Sequence, residues 1–86
     1  MPEICRFYGI IIAMFYNEHN PPHFHARYGE HKMVVDIHSL RVLEGGFPGR
    51  ALGMVIEWAS QHQAELLENW ELARREATPK KIEPLS

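Results

Sequence analysis

The chain is 86 residues long, 45% of them hydrophobic, and carries a net charge of −2 when its six histidines are neutral. This length predicts one domain, 1–86, near the lower limit of independent folding, and this charge gives no bulk signal of nucleic-acid binding. A single cysteine excludes an intrachain disulfide, and the lack of a basic N-terminal start or a membrane-length apolar run leads us to expect a cytoplasmic protein without membrane contact.

Residues 1–46 have the pattern of a small antiparallel sheet of three to five strands. Ile4 to Phe7 is a candidate short strand. The run from Ile10 to Tyr16 is apolar in both phases, which is typical of a central strand covered on both faces. Asn17 to Pro22 then connects to the next strand, and the two prolines stiffen the end of this connection.

A hairpin is predicted around Gly29-Glu30, because glycine suits the first loop position of a II′ turn. Its strands are His23–Tyr28 and His31–Ile37, and a two-residue loop sets their register by counting outward. The resulting cross-strand pairs include Phe24 with Val35, Ala26 with Met33, Arg27 with Lys32 and His23 with Asp36. A short return strand from Arg41 to Glu44 follows.

The second half of the chain predicts one long amphipathic helix, from about Pro48 to about Glu76, because apolar residues recur at helical spacing. The stripe thins over Ser60 to Gln63, where a bend or break is possible. Met54 and Trp58 lie off the stripe and either widen the buried face or form a patch for a partner. The expected fold is therefore α+β, with a sheet portion (1–46), a helix (47–77) packed on it and a docked, extended tail (78–86).

The candidate working surface is the polar face of the first hairpin strand and the loop before it. Alternation along the strand puts His23, His25 and Arg27 on one face and apolar side chains on the other. In one hypothesis His19, His23 and His25 bind a divalent metal, for which zinc and nickel are the natural ions with imidazole ligands.

In a second hypothesis there is no metal, and two of the histidines act as acid and base on a phosphodiester. Arg27 or Arg6 would stabilise the developing charge, and an RNA substrate would supply its own 2′-hydroxyl nucleophile. Asp36 is the predicted cross-strand neighbour of His23, where a carboxylate would fix the imidazole tautomer.

These residues also carry a resemblance that covers nearly the whole chain. The shared features are the opening Pro2 to Ile10, the His-x-Pro-Pro-His-Phe-His motif from His19 to His25 with a Tyr-Gly turn after it, and the pairs Glu57-Trp58, Asn69-Trp70 and Pro84-Leu85. In these features the chain resembles a family of small bacterial proteins, the domain of unknown function 4160 family, whose members are similar to DhiT-like toxins of type II toxin–antitoxin pairs. The resemblance implies a cytoplasmic toxin that is neutralised when its cognate antitoxin binds it, and it implies no particular catalytic mechanism.

Three function classes remain open at this point: a toxin that is a ribonuclease or another hydrolase, a non-catalytic module that binds a cellular protein, and a small metal-binding regulator. The acidic net charge counts against a non-specific RNA binder. Exposed edges of a small sheet leave room for a homodimer or for a strand added by a partner.

Overall fold

An antiparallel sheet forms the first half of the molecule in the computed structural model, which describes residues 2–86. Its five strands pair in the order in which they occur in the chain. They are β1 (Glu3–Phe7), β2 (Ile10–Ala13), β3 (His23–Tyr28), β4 (His31–Asp36) and β5 (Val42–Gly45), and two helices follow, α1 (Gly49–Gln61) and α2 (Gln63–Arg74). The expected α+β class is confirmed. Neither helix combines the length and apolarity that crossing a membrane requires.

The β3–β4 hairpin has the predicted register throughout. Phe24 pairs with Val35 and His23 pairs with Asp36. Gly29 adopts a φ of 59°, the positive value that the first loop position of a II′ turn needs. Turn chemistry and alternation agree here, so local sequence alone determines the pairing.

The helices cover one face of the sheet, and the opposite face is only partly covered, so the two-sided burial expected for the strand from Ile10 to Tyr16 is met only in part. This strand, β2, ends at Ala13 and lies second in the order, so that β3 is the central strand. Ile10 and Ile12 are fully buried beneath the helices, whereas Ile11 points to the opposite face and is partly exposed. The helices of so short a chain shield one face; the other, which we call the open face, is exposed at Arg27 and buried at Ala13.

Trp58 lies at the centre of the covered face. Its side chain is fully buried, and its ring centroid lies 5.5 Å from that of Phe7 and 6.0 Å from that of Phe24. The expected partner patch of Met54 and Trp58 is therefore wrong for Trp58, which has no surface to offer a partner. Met54 is partly buried against the same core. Of the two alternatives for these residues, the wider buried face is the one observed.

The prediction of a single long helix is also wrong, because the helix is interrupted at His62. His62 has a φ of −131°, outside the helical region, and it ends α1 and precedes α2. Next to the break, the Gln63 side-chain amide donates hydrogen bonds to the carbonyl groups of Ile37 and His38. The break falls within the polar stretch noted in the sequence, and the second helix then buries its own apolar residues, Leu66, Trp70 and Ala73.

The tail after α2 is docked, as expected. Asn69 is buried and forms two 2.8 Å hydrogen bonds with Lys80, donating from Nδ2 to the carbonyl oxygen and accepting at Oδ1 from the amide. Beyond this clamp, the Ile82 amide donates to the carbonyl oxygen of Ile4 in β1, and Trp58 Nε1 donates to the carbonyl oxygen of Glu83. The tail thus covers the β1 edge of the sheet.

Gly45 and its neighbour Gly46 supply a matched test of the β4–β5 packing. Gly45 has a φ of 70°, and a Cβ placed on it would overlap the Lys32 carbonyl oxygen, whereas a Cβ on Gly46 would meet nothing. We predict that Gly45→Ala lowers the free energy of unfolding by about 2–3 kcal/mol, because backbone strain and a clash with backbone add together. Gly46→Ala should change it by less than about 0.5 kcal/mol. Urea denaturation of both variants tests this, and equal stabilities would contradict the observed strand geometry.

Asp36 closes the turn between β4 and β5. Its Oδ1 accepts hydrogen bonds from the amides of His38 (2.8 Å) and Ser39 (2.9 Å). The Ser39 amide is the main cause that lowers the pKa of the Asp36 carboxyl, since this bond favours the ionised form.

We predict that Asp36→Ala lowers the free energy of unfolding at pH 7 by about 0.5–1 kcal/mol, because two amides lose their acceptor. Asp36→Asn keeps a side-chain acceptor and should lose less. A lowered folded-state pKa means that the ionised form stabilises the fold above the unfolded pKa, about 3.9, and that this contribution disappears as the pH falls through the lower folded value. The difference between wild type and Asp36→Ala in urea melts should therefore shrink in this acid range; a difference independent of pH would contradict the assignment.

Candidate functional site

The loop between β2 and β3 is anchored at both ends. At its start, the Asn17 amide donates to the Ala73 carbonyl oxygen (3.4 Å), and Asn17 Nδ2 donates to a Glu76 carboxylate oxygen at 2.6 Å. Asn17 has a φ of 55°, a left-handed conformation that asparagine tolerates better than most residues. At its end, the Pro22 carbonyl oxygen accepts a bond from the Ile37 amide. The loop is thereby held against both α2 and β4, and Glu18 is brought over the start of β3.

Glu18, His23 and His25 form what we call the Glu18 cluster. Oε1 of Glu18 lies 2.6 Å from His25 Nε2 and 3.1 Å from His23 Nε2. One nitrogen or oxygen atom from each of the three side chains lies within 4.8 Å of the other two. The side chain of His23 is 11% exposed, whereas those of His25 and Glu18 are 26% and 28% exposed. The cluster is therefore half-buried, with His25 and Glu18 as its accessible members.

The backbone determines the orientation and tautomer of His23. Its Nδ1 lies 2.7 Å from the Pro21 carbonyl oxygen, which only accepts hydrogen bonds, so Nδ1 carries a proton. The ring of Trp70 packs beside it, with centroids 5.0 Å apart. Nε2 consequently faces Glu18, and its contact with the carboxylate is a hydrogen bond only when His23 and Glu18 share a further proton.

His25 is held by a different neighbour. Its ring meets that of Phe15 edge to face, with centroids 4.2 Å apart, and the His23 ring lies 5.3 Å away. The two imidazoles therefore approach the same carboxylate oxygen from two directions. This arrangement concentrates proton donors and acceptors in one place.

The structure brings together some of the residues singled out in the sequence and separates others. His23 and His25 meet as expected, but His19 is exposed at the rim and contributes no atom to the cluster. Asp36 is the cross-strand partner of His23, yet its carboxylate binds the amides of the following turn rather than an imidazole. Glu18, and not Asp36, is the carboxylate next to His23. Glu18, and not His19, is also the third member of the group with His23 and His25.

Arg27 lies farther along β3 on the open face of the sheet. Cross-strand pairing aligns it with Ile11 on β2 and Lys32 on β4, and Ile11 is paired in turn with Arg6 on β1. Arg6 is bound to the Glu3 carboxylate, with Nη2 2.9 Å from Oε1. Within residues 2–86, Arg27 and Lys32 form no ion pair. The open face therefore presents two adjacent cations that have no ion-pair partner among the described residues, with Glu44 lining the same depression.

Two depressions meet at His25. One, of about 270 Å³, lies over the Glu18 cluster and is closed on its far side by Leu43 and Glu44 of β5. The other, of about 410 Å³, follows the open face past Arg27 and Lys32. His25, Val34 and Glu44 line both, so a bound molecule that reaches the cluster can also extend along the basic part of the sheet.

Cysteine chemistry does not contribute to this site. Cys5 is buried on the covered face, and burial raises the pKa of its thiol to about 11. The thiolate, which is the reactive form, is therefore scarce at neutral pH. Chemistry at the site rests on imidazole and carboxylate groups.

Comparison with known proteins identifies a family but no individual relative. No curated protein and no solved structure gives a significant match to the chain. The sequence profile of the family described as "Domain of unknown function (DUF4160)" matches residues 9–71, a range that includes the whole Glu18 cluster. Since this match spans most of the chain, the protein belongs to the DUF4160 family.

Proposed function

We propose that the chain is the toxin component of a bacterial type II toxin–antitoxin pair and that it cleaves RNA at the Glu18 cluster. The resemblance to DhiT-like toxins supports the toxin role. One observation supports the chemistry: the Nε2 atoms of two histidines converge on a single oxygen of Glu18. Such groups transfer protons to and from a phosphodiester without a protein nucleophile, because RNA supplies its 2′-hydroxyl.

Within the cluster, His25 and Glu18 are the acid–base pair in this proposal. They are its more exposed members, and His25 Nε2 lies 2.6 Å from Glu18 Oε1, which is hydrogen-bonding distance. One group takes the proton of the 2′-hydroxyl as its oxygen bonds to phosphorus, and the other protonates the 5′-oxygen as the P–O5′ bond breaks, which leaves a 2′,3′-cyclic phosphate and a 5′-hydroxyl. His23, which is fixed by Pro21 and Trp70, is a positioning residue that holds Glu18 in place.

Charge on the open sheet face supports RNA as the substrate class. Arg27 follows His25 at the next position on the same face, about 7 Å along the strand. A guanidinium at this distance is suited to a phosphate next to the one being cleaved, and Lys32 extends the cationic surface. The net charge of −2 counts against RNA in general, and Glu44 lines the same depression; within residues 2–86, however, no carboxylate lies within ion-pair distance of Arg27 or Lys32.

The exposed edge strand β5 is suited to antitoxin binding. All four of its residues are exposed, including the apolar side chains of Val42 and Leu43. An antitoxin segment added to this edge as a further strand would lie beside Leu43 and Glu44, which line the depression at the cluster, and its own side chains would reach toward that depression. Binding there would therefore obstruct access to the site, which agrees with neutralisation by direct contact. A second copy of the chain is the rival occupant of this edge.

We predict that Glu18→Gln and His25→Ala each reduce RNA cleavage by at least about 100-fold, because each removes one half of the acid–base pair. Growth inhibition on expression should disappear with it, and coexpression of the cognate antitoxin should suppress the wild-type effect. His31→Ala, an exposed histidine at the other end of the hairpin, is the matched control and should behave as wild type. An RNA with a single 2′-deoxy residue at the cleaved position should resist cleavage.

The outcomes separate the function classes. If both cluster variants keep their fold by circular dichroism and still arrest growth, the catalytic proposal is wrong and a non-catalytic interaction module is favoured. If wild type, expressed without its cognate antitoxin, leaves growth unaffected, the toxin assignment is wrong.

We also predict that Arg27→Ala and Lys32→Ala weaken RNA binding more at low salt than at high salt. Each lost phosphate contact should reduce the slope of log K against log salt by about 0.7 for a single strand. Arg50→Ala removes an exposed cation at the start of α1 and is the charge-matched control. Fluorescence anisotropy with a labelled RNA at several salt concentrations measures these slopes. Equal slopes for the three variants would place the bound RNA elsewhere.

A further inference from the structure

The cluster also has the geometry of a cation site, and the reason lies in the hydrogen bond from His23 to Pro21. Because Nδ1 donates its proton to the Pro21 carbonyl oxygen at 2.7 Å, the neutral imidazole has its lone pair on Nε2. Histidines that bind metals are commonly oriented in this way, with the non-ligating N–H given to a backbone carbonyl or a carboxylate. In His23 the backbone has selected the ligating tautomer and aimed it at Glu18.

The remaining donors complete a three-ligand face. His25 Nε2 and Glu18 Oε1 lie 2.6 Å apart, and the donor atoms of the three side chains fit within 4.8 Å of one another. Tetrahedral ligands about 2.0–2.2 Å from a shared ion lie about 3.3–3.6 Å apart, so an ion enters the cluster when the Glu18 carboxylate moves away from His25 by about 1 Å. The three residues are held independently: β3 carries both histidines, and the loop anchored at Asn17 carries the carboxylate.

The contact between His23 and Glu18 can be completed in two ways. Nδ1 of His23 faces the Pro21 carbonyl oxygen, and its Nε2 lies 3.1 Å from Glu18 Oε1. A shared proton satisfies the contact, and so does a divalent cation. The cation satisfies the contact with His25 at the same time.

We propose that the Glu18 cluster binds one divalent transition-metal ion of the zinc class, with His23 Nε2, His25 Nε2 and Glu18 Oε1 as ligands. Two imidazoles and one carboxylate form a known three-residue zinc set, and imidazole nitrogen disfavours the hard cations Mg²⁺ and Ca²⁺. The depression of about 270 Å³ over the cluster leaves room for further ligands from solvent. Glu18 replaces His19 of the ligand set expected from the sequence.

Metal binding and the proposed cleavage use the same atoms and so exclude each other. An ion on the cluster ties up the His25 nitrogen and the Glu18 oxygen that the acid–base pair needs, and the bound ion is therefore an inhibitor of that chemistry. The metal site itself does not rest on the proposed function, because its measurement needs neither RNA nor growth.

The test is a titration of the purified full chain with Zn²⁺ against a chromophoric chelator, in parallel with Co²⁺ binding followed by visible absorption. We expect one ion per wild-type chain, no competition from millimolar Mg²⁺, and a rise in Tm on binding. Glu18→Gln and His25→Ala should weaken binding by more than about 10–100-fold, the range measured for residues that merely support ligands. His19→Ala and His31→Ala are the matched controls and should keep wild-type affinity.

Two results would overturn the proposal. One is equal Zn²⁺ affinity in wild type, Glu18→Gln and His25→Ala, which would assign the binding to scattered surface histidines. The other is loss of binding in His19→Ala with Glu18→Gln unaffected, which would restore the ligand set with His19. His23→Ala is not used, because His23 is buried against Trp70 and its removal endangers the fold.

Discussion

The packing of Trp58 against the sheet is the contact on which most of the architecture depends. Its ring fills the space between Phe7 and Phe24, and its Nε1 bonds to the tail, so a single side chain joins sheet, helix and C-terminal segment. A chain of 86 residues has one such layer of helix to place, and it lies on one face. The opposite face lacks a helix for that reason. Arg27 and Lys32 lie on it, and the Glu18 cluster lies at its border.

Strand pairing could be predicted from the sequence where the paired residues are close to each other along the chain. The hairpin between β3 and β4 combines a glycine turn with alternating apolar residues, and its pairing was predictable residue by residue. The length of the helix was not predictable in the same way. His62 interrupts it, and whether the second half continues in line or turns depends on contacts such as that between Gln63 and Ile37, which lie far apart in the sequence.

The candidate site was half predictable for a related reason. The two histidines lie on one strand, where the period of two fixes their common face. The carboxylate comes from the preceding loop, whose path is set by Asn17 against α2 and by Pro22 against β4. Strand pairing suggested Asp36 instead, but a carboxylate at a strand end prefers the free amides of its own turn. The connection from β2 to β3 returns to the neighbouring strand, so its polar residues lie near the start of β3. Glu18 is the acidic residue in this connection, and its position there was the signal in the sequence.

The docked tail has a consequence for assembly. With Ile82 bonded to Ile4, the β1 side of the sheet is occupied by the chain's own C-terminal segment, and β5 is the free side. Strand-to-strand growth of a sheet into fibres requires two free sides in each subunit. A molecule with one fully exposed edge strand joins a single neighbour through it, so pairing through β5 favours a closed complex of two over a polymer.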